Sequence, residues 1–450
     1  MSKTKIPAVS GSFYSSDEQE LLSNINYFYQ NNRQDYHVAS RAIIVPHAGY
    51  YYSGQVASEG FQYLSRRVKN IFIFAPSHHV AFNGLSISSY DYWETPLGKI
   101  ELNVEIIKEL EKDFDCEYND NAFEKEHSIE VQVPFVQAYF DSVKIIPVLI
   151  GDAAPNKVAS IIKKYWENED NGFVISSDLS HFLPSDDAKK IDKVTAQMIE
   201  MLDISNFQHQ QACGAIGVLG LAEFVKEKNY SLIRINMRNS GDISGESDSV
   251  VGYGSWLLYE NTKSAFIKEY FSDFVIEVCK ASIRSGLSGK KLNVEEEYKR
   301  IPAVFEQYGA CFVTLNYDGM LRGCIGSIIA HQPLINDLVQ NARNAAFSDN
   351  RFYPLTDEEY PDLEISVSLL SSPEKMTFID EEDLLSQIRP YEDGIIIRED
   401  NYQAVYLPSV WEQLPDKTLF LNSLKQKAGL SPDYFSDTFE SYRFSTVHIP

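Results

Sequence analysis

The chain has 450 residues, with 44% hydrophobic and 23% charged residues and a formal net charge of −24. That length suits two domains, each able to bury a core without covalent staples. The acidic balance argues against non-specific affinity for nucleic acid or an anionic membrane, both of which need a basic face. Five cysteines, at 116, 213, 279, 311 and 324, form an odd set without a CxxC spacing. This speaks against a disulfide framework or a structural zinc cluster. The first residues, Met-Ser-Lys-Thr-Lys-Ile-Pro, lack the apolar run of a signal peptide, and no stretch approaches the roughly 18 apolar residues of a membrane span. The expected location is cytoplasmic.

In chain order, Ser16-Asp17-Glu18-Gln19 reads as a capping box opening a first helix. Short, near-continuous apolar runs at Ala42–Val45, Asn70–Phe74, Lys144–Ile150 and Gly172–Ser176 read as strands buried on both faces. Helical patterns fall between and after them, at about Gly54–Leu64, Pro155–Tyr165, Asp187–Leu202 and Gly214–Lys226. Ser249–Tyr259 reads as a strand that ends the sheet. Strand–helix alternation predicts an α/β fold, a mostly parallel sheet with helices on both faces. The pattern changes in the polar stretch Glu260-Asn261-Thr262-Lys263, so the domains are placed at 1–260 and 265–450.

The second domain opens on a long helix, about Ser264–Arg284. Tyr317-Asp318-Gly319 then signals a hairpin between Ala310–Asn316 and Met320–Ser327, because Asp-Gly tolerates positive φ. A helix at about Pro333–Phe347 and strands at Leu363–Leu370, Ile395–Arg398 and Gln403–Leu407 complete a smaller α+β domain.

Three strands of the first domain run directly towards histidine: Ala42–Val45 into Pro46-His47, Asn70–Phe74 into Ala75-Pro76-Ser77-His78-His79, and Gly172–Ser176 into Ser177-Asp178-Leu179-Ser180-His181. Parallel strands carry ligands beyond their carboxyl ends, so three imidazoles on one edge form a candidate metal site. Imidazole binds zinc, iron and copper, and a three-histidine set leaves positions open for chemistry. Asp242, in Asn239-Ser240-Gly241-Asp242, is a candidate carboxylate ligand, with a plain Gly-Asp turn as the alternative. His127, in Glu126-His127-Ser128-Ile129-Glu130, is a candidate proton donor or acceptor, with a helix-start capping arrangement as the alternative. Asp178 either orients a ligand histidine or caps its loop.

Ala8–Tyr14 (AVSGSFY), Val45–Tyr50 (VPHAGY), Ala75–Val80 (APSHHV), Glu126–Glu130 (EHSIE), Ile145–Gly151 (IIPVLIG) and Ser176–His181 (SSDLSH) agree in order and spacing with the Memo family. The first domain therefore resembles that family, which in turn resembles class III extradiol dioxygenases, enzymes that bind Fe(II) and catechol. The resemblance places metal ligands on His47, His78 and His181, and selects His78 over His79. Eukaryotic members add a late cysteine ligand; this chain has Asn239-Ser240-Gly241-Asp242-Ile243 in that region, and Cys213 matches a part of the pattern upstream of it.

Leu321–Gly326 (LRGCIG), Asn341–Phe347 (NARNAAF), Asp349–Phe352 (DNRF), Ile365–Leu370 (ISVSLL) and Leu407–Trp411 (LPSVW) resemble the AMMECR family. Together the two resemblances suggest the AmmeMemoRadiSam set, and hence a radical S-adenosylmethionine enzyme as partner. Within LRGCIG, Arg322 beside Cys324 suits a reactive thiol, although the domain's histidines, His331 and His448, stand in no recognisable relation to it; a buried structural cysteine is the alternative. Arg322, Arg343 and Arg351 either hold an anion together or form separate ion pairs.

The leading expectation is a metal-dependent redox enzyme acting on a small molecule, with Fe(II) favoured and zinc or copper as alternatives. Metal-assisted hydrolysis is a third possibility. The competing class is a non-catalytic binding or docking scaffold.

Overall fold

A computed structural model describes residues 2–32, 36–203 and 205–450. The chain divides into two compact units, Met1–Asn261 and Thr262–Pro450.

The first unit is built on a nine-stranded sheet. Its strands are β1 (Ala42–Val45), β2 (Asn70–Pro76), β3 (Leu85–Ile87), β4 (Glu117–Tyr118), β5 (Lys144–Ile150), β6 (Asn171–Ser176), β7 (His181–Leu183), β8 (Ser231–Asn239) and β9 (Val250–Tyr259). The order is β7-β9-β1-β6-β2-β5-β3-β4, with β8 also paired to β9. The centre, β1-β6-β2-β5, is parallel, and both flanks turn antiparallel through β9 and β3. Every residue of β1 and β6 is buried. Successive side chains point to opposite faces, so both faces of the centre are covered.

The predicted helices are present with shifted ends. The first spans Glu18–Gln30, with Asp17 rather than Ser16 as its cap: Glu20 N–H donates to Asp17 Oδ1 at 2.9 Å. The second starts four residues early, at Tyr50, directly after Pro46–Gly49. Helices Pro155–Trp166 and Ala215–Glu227 pack on each other. A Cβ at Gly220 would meet Val158 Cβ at 2.6 Å and Pro155 O at 2.8 Å, so glycine there sets how closely the two helices approach.

In the second unit the long helix Lys263–Leu287 bends at Phe271, whose φ of −138° leaves helical geometry. Ser282 Oγ donates to Val339 O at 2.7 Å, tying it to helix Leu334–Phe347. The predicted hairpin forms between Ala310–Tyr317 and Met320–Gly326. Asp318 and Gly319 both take positive φ, at 53° and 75°, as a primed turn requires. This hairpin lies in one antiparallel sheet with Leu363–Leu370 and Thr446–Ile449. A second four-stranded sheet, with Gly394–Glu399 and Glu440–Phe444 as its inner strands and Tyr402–Tyr406 at one edge, covers a core where Trp411 and Phe420 stack at 3.7 Å.

Candidate metal centre

The centre sits where β1 and β2 give out. His47 is buried and its ring is held by Ser176, the last residue of β6: Nδ1 lies 2.9 Å from Ser176 Oγ. That hydroxyl has two other partners. It donates to Ser128 O at 2.7 Å and accepts from Gln132 Nε2 at 2.9 Å. A hydroxyl has one hydrogen, and a carbonyl only accepts. Ser176 must therefore accept from His47, which places the proton on Nδ1 and makes Nε2 an acceptor.

His78 reaches the same state by a different route. Its Nδ1 lies 2.9 Å from Glu126 Oε1, and its backbone N–H donates to Glu126 Oε2 at 2.5 Å. The same carboxylate accepts the N–H groups of His127 and Ser128, each at 3.0 Å. Burial by itself would raise the Glu126 pKa, but the hydrogen bonds from His78 and the backbone override it and hold the carboxyl well below its usual range. An ionised carboxylate cannot donate, so Nδ1 of His78 carries the proton and Nε2 is free. A carboxylate behind an imidazole is the arrangement that orients metal-binding histidines.

His127 leans on the same Glu126 oxygen, at 3.3 Å from Nδ1. Its ring stacks on His78 at 4.7 Å between centroids and packs against Phe13, also at 4.7 Å. Burial, the largest cause, pushes its pKa down to about 4. Burial, followed by repulsion from His78 and His127, takes His47 well below its usual value. Neutral imidazole is the form that binds metal. Among the described residues, His47, His78 and His127 each offer a ligand atom, all within 4.8 Å of one another.

His181 opens β7, which runs antiparallel to β9. It stands outside the three-residue group, although its charge is felt at His47 and it feels that of His78. Asp178, in the loop between β6 and β7, accepts the His47 backbone N–H at 2.8 Å, and burial pushes its pKa up to about 7. Asp242 has partners of its own: Oδ2 accepts the Asn239 N–H at 3.0 Å, and Oδ1 pairs with Lys189 at 3.0 Å.

Two participants, Ser176 and Gln132, were not singled out by the sequence, and Cys213 was read only as a match to the family pattern. Ser176 and Gln132 fix the His47 tautomer. Cys213 places Sγ 3.2 Å from His47 Nε2. Glu126 could be seen only as a neighbour of His127.

In the second unit, Cys324 Sγ lies 3.4 Å from Thr314 Oγ1, and the Cys324 N–H donates to Asp349. The three arginines are engaged separately. Arg322 forms a bidentate pair with Glu359, at 2.7 and 3.1 Å. Arg351 pairs with Asp349, and Arg343 donates to Lys290 O.

A scan of protein families matches residues 5–257 to the family described as Memo-like protein, and residues 276–449 to AMMECR1. Curated relatives include a MEMO1 family protein of Saccharolobus solfataricus, 32% identical over an alignment of 278 positions that covers 55% of this chain and 97% of that protein. A MEMO1 family protein of Pyrobaculum aerophilum is 34% identical over an alignment of 289 positions that covers 57% of this chain and 99% of that protein. Among solved structures, an uncharacterized protein from Pyrococcus horikoshii is 29% identical, covering 39% of this chain and 89% of that chain at a TM-score of 0.36.

Proposed function

The chain belongs to the Memo family over residues 5–257 and carries an AMMECR1 domain over residues 276–449, and from that premise we propose that its first unit binds one divalent metal ion, Fe(II) foremost, to carry out redox chemistry on a small molecule. The observation that carries this reading is the pair of fixed tautomers. Ser176 and Glu126 each accept a hydrogen bond from an Nδ1–H, so His47 and His78 both have Nε2 as the ligand atom, that of His47 shared with the Cys213 thiol in the metal-free chain. Fe(II) bound there would supply open coordination positions for oxygen and an organic substrate.

The protein's own groups have separable tasks. Glu126 fixes His78 and carries the negative charge behind it. Ser176 and Asp178 hold His47 from its ring and its backbone. The family resemblance assigns the third ligand nitrogen to His181, leaving His127 beside the metal as a proton carrier. The convergence of His127 with His47 and His78 supports the reverse assignment. The pairing of Memo and AMMECR1 units supports a radical S-adenosylmethionine enzyme as pathway partner.

The test is metal analysis of the full chain purified without oxygen, beside His47→Ala, His78→Ala, His127→Ala and His181→Ala. Loss of the ion is expected in the first two and in whichever of the last two is the ligand; the remaining variant keeps the ion and loses oxygen consumption. Unchanged metal content in all four overturns the proposal. Retained metal without oxygen consumption on any substrate leaves a binding or docking role.

A further inference from the structure

A cavity of about 650 Å³ opens beside the histidines, at the carboxyl ends of β2 and β5. Its lining includes Ser77, the residue before His78, and Cys213, whose Sγ touches His47 Nε2 at 3.2 Å. One sulfur atom thus separates the cavity from a nitrogen of the proposed metal centre. We propose that this cavity is a binding site for a small organic cation, an ammonium carried on an apolar body, held with that body toward Cys213.

The walls carry the argument. Phe82, Ile150 and Ile216 give the cavity an apolar surface, and its volume lies in the range of small-molecule sites. Asp152 and Asn83, brought side by side by a backbone bridge, are exposed and set a carboxylate and an amide at its rim. Among the described residues the lining holds no lysine, arginine or histidine. A carboxylate or phosphate ligand would meet Asp152 with no charged side chain to offset the repulsion, only the partial charge at the amino end of helix Ala215–Glu227; the comparison of amine with carboxylate below decides between the two. An ammonium pairs with Asp152 while its hydrocarbon part leaves water against the apolar walls.

Binding in the cavity stands by itself; only the claim that the ligand lies next to a metal rests on the function proposed above. The test uses three probes that share one ring: phenethylamine, phenethyl alcohol and phenylacetate. Each is titrated against the full chain by saturation-transfer NMR, with and without added Fe(II) under anaerobic conditions. Phenethylamine is expected to bind tightest, phenethyl alcohol up to about fivefold more weakly, as one partly exposed ion pair allows, and phenylacetate weakest. Asp152→Asn should bring amine and alcohol together. Ile216→Trp fills the cavity and should abolish binding of all three; Ala81→Trp, at an exposed lining position, does the same if the first variant fails to fold. Equal binding of amine and carboxylate, no binding to the wild-type chain, or binding unaffected by either tryptophan overturns the proposal. His78→Ala separates the two ideas: loss of metal with the amine still bound leaves the cavity site standing, whereas a chain that holds metal and ignores the amine refutes the cavity site alone.

Discussion

Cys213 Sγ and His47 Nε2 lie 3.2 Å apart, and the thiol is the donor. His47 carries its proton on Nδ1, directed at Ser176, so Nε2 can only accept. Burial, reinforced by the nearby Asp178 charge, drives the Cys213 pKa far above its ordinary value, which keeps the sulfur protonated. The thiol therefore occupies the lone pair that a metal would use. Replacing it should ease metal entry: Cys213→Ala is expected to bind Fe(II) up to about fivefold more tightly, the worth of roughly 1 kcal/mol for one neutral hydrogen bond. Anaerobic metal titration measures this. Tenfold weaker binding in the alanine variant would instead make the sulfur a ligand.

Glu126→Gln should separate metal affinity from folding. Glutamine keeps the shape of the side chain but loses the charge behind His78 and His127. Loss of such an orienting carboxylate typically costs about 10- to 100-fold in metal affinity. The same titration, beside a thermal melt showing the variant folded, checks it; wild-type affinity would show that Glu126 serves the loop alone.

Glu130 anchors the N-terminal segment. It is buried and accepts from Lys5 Nζ at 2.7 Å, from the N–H groups of Ala8 and Val9, and from the Tyr14 hydroxyl at 2.8 Å. Glu130→Ala leaves Lys5 buried without its counter-charge and should destabilise the first unit by about 3–5 kcal/mol. Lys5→Met together with Glu130→Gln should recover part of that loss. Urea denaturation reports both, and a loss under 1 kcal/mol for Glu130→Ala would contradict the buried pairing.

Acid should weaken the metal-free protein. His47, His127 and His181 all have pKa values lowered from 6.5, chiefly by burial. Between about pH 6.5 and 4 the unfolded chain thus binds more protons than the folded one, and stability falls as pH falls. Asp178, pushed up to about 7 from 3.8, acts in the opposite sense: the folded state takes up its proton first and gains on acidification. Asp192 and Glu223, raised less far by burial, act in the same sense as Asp178; His47, taken well below its usual value, and His127, lowered to about 4, outweigh them, so the melting temperature should drop from pH 6.5 to about pH 4.5. Asp178→Asn should make the drop steeper. A flat profile in the wild-type chain would contradict the balance.

Much of this was legible in the chain itself. β1, β2, β5 and β6 announce themselves as apolar runs because both of their faces are buried, and the Asp318-Gly319 turn is written in its φ requirements. His47 and His78 follow from their places at strand ends. Long-range pairing was not legible. Nothing local tells that Ser176 meets His47 or that Cys213 lies against it, since 129 and 166 residues separate those partners. His127 read as a proton carrier from its polar stretch Glu126–Glu130; its place among the other rings comes from Glu126, which grips His78 across 48 residues. Short strands such as Leu85–Ile87 escaped because three residues leave no period to read.

The order of the central strands bears on when the site can exist. β6 lies between β1 and β2, so the strands that deliver His47 and His78 are not neighbours until residues 171–176 are inserted between them. A ribosome that has released both histidines has not yet made a place for a metal. Loading of a metal would have to wait for the later strand, whose Ser176 also sets which nitrogen of His47 would face an ion, and an incomplete chain leaving the ribosome would present separate histidines rather than a half-formed site.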